Sequence, residues 1–142
     1  MRVVVCCATA RGLRFLQRLR ALLPDAEITV LSFREEAHER PFLSDIQSFC
    51  TSTQCGFRLG RQLGHPDFRD YWAAHSVDLL FAVNWRFLVP KEIFSRARLG
   101  AFVFHDSLLP KYRGFSPTVW AMINGDNETG VTLLRMASAV DA

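Results

Sequence analysis

His105 follows the apolar run Gly100-Ala101-Phe102-Val103-Phe104, where a buried strand ends and a loop opens. Open α/β sheets place their chemistry at the carboxyl ends of their strands. An imidazole there can accept or donate a proton, because its ordinary pKa lies near working pH. A histidine at a strand end with no further motif would more simply make one backbone hydrogen bond in a core or loop. The residues that follow favour chemistry. Ser107-Leu108-Leu109-Pro110 and Tyr112-Arg113-Gly114 form a rigid, non-helical loop. Proline fixes its own φ and biases Leu109 away from the helical region, and Gly114 permits a sharp turn.

Such a loop needs a scaffold, and the hydrophobic pattern supplies one. Val3-Val4-Val5-Cys6-Cys7 is a continuous apolar run suited to a central parallel strand. Ala8-Thr9-Ala10-Arg11-Gly12 then turns into a helix whose Leu13, Leu16, Leu19, Leu22 and Leu23 recur at core spacing until Pro24. Residues 28–33 make a second strand, joined to the first by a right-handed crossover. A charged loop over 34–40 leads to a helix beginning near Pro41, and 57–59 suits a short strand. Pro66 opens another helix, 78–83 is an apolar strand, and 91–98 reads as a helix capped by Gly100. Residues 101–104 form the strand before His105, 117–124 a short helix closed by Gly125, and 131–136 the last strand. This order describes a Rossmann-like, open, mostly parallel α/β sheet with helices on both faces, in one domain spanning 1–142. Gly12 stands outside any Gly-x-Gly-x-x-Gly pattern, so dinucleotide binding has little support.

Composition narrows the classes further. The chain has 142 residues, 49% of them hydrophobic and 22% charged, as in ordinary soluble globular domains. No apolar run approaches the roughly 18 residues of a membrane span, and the opening residues are too short for a signal sequence, so a cytoplasmic location is expected. Of four cysteines, Cys6 and Cys7 lie in an apolar run, and Cys50 and Cys55 could join His65 at zinc, although buried free thiols are the simpler reading. A net charge of +3 is mild. Arg11, Arg14 and Arg18 share one helical face that could meet a pyrophosphate or RNA, or be solvated.

The order His105, Ser107-Leu108-Leu109-Pro110, Tyr112-Arg113-Gly114, Thr129-Gly130-Val131-Thr132 and Asp141 resembles the folate-dependent formyltransferases. Phe104-His105-Asp106-Ser107 and Phe115-Ser116-Pro117-Thr118-Val119-Trp120-Ala121 are most similar to the branch that formylates nucleotide-linked amino sugars. The resemblance implies a Rossmann-like catalytic domain and 10-formyltetrahydrofolate as formyl donor. It also implies a catalytic pair of His105 and Asp141, the aspartate orienting the imidazole. Trp85, Arg86, Phe87, Leu88 and Ser107 would contribute to the folate pocket, with residues 136–141 closing its other side. Tyr112 and Arg113 would brace the loop or approach the acceptor.

One departure concerns chemistry. The family carries an asparagine two residues before the histidine, and this chain has Val103. A valine cannot donate to an oxyanion, and losing one such donor costs on the order of 2.7–4 kcal/mol in well-studied hydrolases. Asn84, Asp106 and Ser107 are local candidates to replace it. Family members also continue beyond the aspartate, so a fragment or truncated frame is expected. The expected function is formyl transfer to the amine of a nucleotide-linked, dTDP-type 4-amino-deoxysugar. Methionyl-tRNA is the alternative acceptor, and a catalytically impaired binding remnant the alternative class. No membrane partner is expected, nucleic acid enters only as tRNA, and a homodimer is left open.

Overall fold

The computed structural model describes residues 1–61 and 63–139, the side chain of residue 67 excepted. Six strands form one sheet in the order β3-β2-β1-β4-β5-β6. They are β1 (Arg2–Cys7), β2 (Glu27–Ser32), β3 (Gly56–Leu59), β4 (Val77–Val83), β5 (Ala97–His105) and β6 (Thr132–Arg135). The first five pair in parallel, and β6 runs antiparallel along β5. The helices are α1 (Thr9–Leu22), α2 (Leu43–Ser52), α3 (Pro66–Ala74), α4 (Lys91–Phe94) and α5 (Pro117–Ile123).

A parallel sheet must be covered on both faces, and alternate residues of β1, β2, β4 and β5 enter two separate cores. Val3, Val5, Cys7, Ile28 and Val30 pack with Leu16 and Leu19 of α1 and Ile46 and Cys50 of α2. Val4, Cys6, Leu31 and Leu80 pack with Phe68, Tyr71 and Trp72 of α3 and Ile93 of α4. Close approach of α1 to β1 depends on Gly12, where an added Cβ would lie 2.9 Å from the Cβ of Cys7. At the opposite edge of the strands, Asp78 clips three of them together. It accepts from the backbone N–H of Arg2 at 2.8 Å and from Nε of Arg98 at 2.9 Å. These partners hold its carboxyl below its ordinary pKa, the Arg2 backbone bond first and the Arg98 side chain next.

Three details differ from the sequence pattern. Leu22 is 77% exposed, because α1 ends there and its face has turned out of the core. The helix expected over 91–98 is a single turn, Lys91–Phe94, since β4 recruits the following residues: Ala97 pairs with Val77 and Gly100 with Leu79. Gly100 is therefore no helix cap. It lies inside β5 at φ +141, where an added Cβ would meet the Phe102 ring at 2.9 Å. Cross-strand pairing outweighs local helix propensity here.

Candidate active site

β5 carries Phe102 and Phe104 toward α1, whose Phe15 ring lies 5.2 Å from that of Phe104. Strand alternation then puts Val103 and His105 on the opposite face. His105 is buried, 7% exposed, at the last position of the strand. Its Nε2 is 2.8 Å from the carbonyl of Tyr112. A carbonyl only accepts, so Nε2 donates this hydrogen bond. Tyr112 reaches back to the histidine with a left-handed backbone, φ 54. Its phenol donates to Asp126 at 2.7 Å and accepts from Asn124 at 3.1 Å.

Side chains commit the rest of the loop. Ser107 is fully buried, its Oγ donating to the Lys111 carbonyl at 2.6 Å. Thr132, which faces His105 across the β5–β6 ladder, donates to the Ser107 carbonyl at 2.7 Å and accepts from the Leu109 N–H. Ser107 thus spends its hydroxyl proton on loop shape. Asp106 pairs with Arg11 in the first turn of α1, so α1 holds residues on both sides of His105 in sequence. Arg14 and Arg18 are exposed on the same helix.

The neighbouring wall comes from the chain leaving β4. The last paired position there is Val83 with Phe104, one residue before Asn84 and His105 respectively. Asn84 turns with φ 51, and Trp85 and Phe87 fold back against Phe33 at ring separations of 5.5 and 5.1 Å. Arg86 stacks over Phe33 at 5.2 Å and pairs with Glu39. Leu88 is 83% exposed. Two polar atoms of this wall are buried with no hydrogen-bond partner, Oδ1 of Asn84 and Nε1 of Trp85. A crevice is expected at this place. The chain after β1 crosses to β2 on one side, the chain after β4 crosses to β5 on the other, and β1 and β4 are neighbours.

The structure thus puts His105, Ser107 and residues 84–88 around the carboxyl ends of β4 and β5, with Val103 on the face of His105. Asp141 lies outside the described residues. Sequence reasoning named Asn84 without placing it, and the ion pair of Arg11 with Asp106 went unnoticed. The first follows only from the register of β4 against β5; the second had no short-range signal, because the partners are far apart in sequence. The cysteines Cys6, Cys7, Cys50 and Cys55 are all buried, and Arg20 donates to Cys55 Sγ at 3.2 Å. Among the described residues no group of three or more His, Cys, Asp or Glu could hold a metal ion.

Among solved structures, the phosphoribosylglycinamide formyltransferase of Anaplasma phagocytophilum is similar at 21% identity and TM-score 0.74, the match covering 100% of this chain and 67% of that one. The methionyl-tRNA formyltransferase of Clostridium thermocellum is similar at 16% identity and TM-score 0.57, covering 99% of this chain and 48% of that one. The formyltransferase PseJ from Anoxybacillus kamchatkensis, solved with UDP-4,6-dideoxy-4-formamido-L-AltNAc and tetrahydrofolate, is similar at 19% identity and TM-score 0.55, covering 99% and 55%. At these identities the likeness establishes the fold. A family profile described as formyl transferase matches residues 20–142, most of the chain, and the chain belongs to the formyl transferase family.

Proposed function

We propose that this domain transfers a formyl group from 10-formyltetrahydrofolate to a primary amine, with a nucleotide-linked 4-amino-deoxysugar as acceptor. The observation that carries the reading is a buried histidine at the end of β5, its Nε2–H fixed on the Tyr112 carbonyl, beside a wall with unpartnered buried polar atoms. Orphaned polar atoms in a crevice are costly unless a ligand or water satisfies them. The residues fit a reduced folate: Trp85 and Phe87 offer aromatic surface, and Leu88 an exposed apolar side chain. By resemblance to the family, backbone groups of Arg86 and Leu88 would read the polar edge of a pterin. Ser107 contributes indirectly, through the shape of the loop.

The folate supplies an electrophilic formyl carbon. The acceptor amine bonds to that carbon while the C=O electrons move onto oxygen. The carbonyl then re-forms as the bond to the folate nitrogen breaks. His105 takes the proton that the amine loses and returns a proton to the departing nitrogen, so the products are a formamide and tetrahydrofolate. Asp141 would orient the ring, by its resemblance to the family aspartate.

The sugar acceptor rests on the wording of residues 104–107 and 115–121 and on a fold shared with PseJ. Of Arg11, Arg14 and Arg18 on α1, Arg11 is paired with Asp106, and the exposed Arg14 and Arg18 would suit its pyrophosphate. The test is a formyl-transfer assay with a dTDP-linked 4-amino sugar, glycinamide ribonucleotide and methionyl-tRNA as competing acceptors, alongside calorimetry with the folate. Preferential formylation of the sugar is expected. Preference for either other acceptor would overturn the sugar assignment, and no folate binding by folded protein would overturn formyl transfer itself.

A further inference from the structure

We infer that Asn84 is a catalytic residue of this chain, its carboxamide donating a hydrogen bond to the formyl oxygen as negative charge develops there. The inference rests on the formyl-transfer reading above and adds a residue to it.

Position is the first argument. β4 and β5 run in parallel with Ala82 beside Val103 and Val83 beside Phe104. One step further along both strands stand Asn84 and His105. The carboxamide is thus on the strand end next to that of the imidazole, and β4 also borders β1, where the crossovers diverge. Val103, on the face of His105, has no polar atom to offer.

Burial and backbone form the second argument. Oδ1 of Asn84, like Nε1 of Trp85 beside it, is buried without a hydrogen-bond partner, while Asp106 is engaged with Arg11, Ser107 with Lys111 and Tyr112 with Asp126. A carboxamide turned by 180° about its last torsion exchanges oxygen and NH2 within nearly the same volume, so the same position can present a donor. Asn84 also holds φ 51, a left-handed conformation that asparagine tolerates better than most residues with a side chain, and it turns the chain out of β4 at this point. An oriented donor that needs no reorganisation during reaction is what stabilises developing charge.

The test uses the full 142-residue chain. Asn84→Gly removes the amide while suiting the left-handed backbone, and Asn84→Asp keeps the shape but, ionised, only accepts. Both should lower kcat about 100- to 1000-fold with little change in KM for either substrate. Val103→Asn should restore turnover in the Asn84→Gly background by a larger factor than it changes the parent, the non-additivity of two groups serving one atom. A second readout needs no turnover. The side-chain NH2 resonances of Asn84 should shift on binding 10-formyl-5,8-dideazafolate and stay in place with the deformylated analogue. Three results would overturn the inference while leaving formyl transfer standing: kcat of Asn84→Gly within twofold of the parent, equal effects of Val103→Asn in both backgrounds, or identical Asn84 resonances with the two bound analogues. Failure of folded protein to bind either analogue would overturn both readings.

Discussion

His105 keeps its place through a backbone acceptor, so the loop's side chains influence it at one remove. Tyr112 illustrates this: its carbonyl accepts a hydrogen bond from the imidazole, and its phenol anchors the loop to Asp126 and Asn124. Tyr112→Phe keeps the carbonyl and loses the anchor. It should cost about 0.5–1.5 kcal/mol in urea denaturation, and it should lower turnover more than it weakens folate binding, because the ring's tether then sits on a slacker turn. Undiminished turnover would show that the turn holds its shape without the phenol. At this scale the sequence was informative where neighbours in the chain cooperate. His105, the prolines and glycines after it and the apolar strand before it could be read together, and Val103 was visible as a missing donor. Asn84 was less legible, because its significance depends on a partner strand whose register no local pattern specifies.

At the scale of elements, close packing and charge each give a direct test. Alanine at position 12 would gain about 1 kcal/mol of helix propensity over glycine, but its Cβ would sit 2.9 Å from that of Cys7. Overpacking of this kind costs about 1–3 kcal/mol, so Gly12→Ala should be destabilising on balance, as a lowered denaturation midpoint. Asp78 ties β4 to Arg2 of β1 and Arg98 of β5, and its folded pKa is depressed. A depressed carboxyl contributes stability that is complete above its unfolded pKa, about 4, and lost as pH falls through the folded value. Asp78→Asn should therefore be less stable than the parent at neutral pH, and the gap should close in acid; a gap constant from pH 7 to pH 2 would refute the clip. Strand and helix order was readable because continuous apolar runs and leucines of period 3.6 are local signals. The short α4 was not, since Ala97, Arg98 and Leu99 have good helix propensity and only pairing with β4 turns them into strand. Leu22 fits the leucine spacing of α1 yet lies outside, where the helix has run past its core.

For the molecule as a whole, two cores on opposite faces of one sheet mean that each face has its own covering helices, while the candidate site draws on the strand ends they share. Ligand binding there should be felt by the entire fold, since preferential binding to the native state stabilises it by about 2.7 kcal/mol at a ligand concentration one hundred times Kd. The sheet also has a boundary. Among the described residues β6 pairs with β5 alone, antiparallel, and carries Leu133, 52% exposed. Its outer rim of amide and carbonyl groups can template another strand, and a leucine beside it adds adhesion. For the 142-residue chain in a tube, shelf life should fall as concentration rises, with light scattering growing before any loss of secondary structure. Leu133→Lys, which leaves the backbone ladder to β5 in place and sets a charge beside the rim, should delay that scattering; unchanged onset would assign the self-association to another surface.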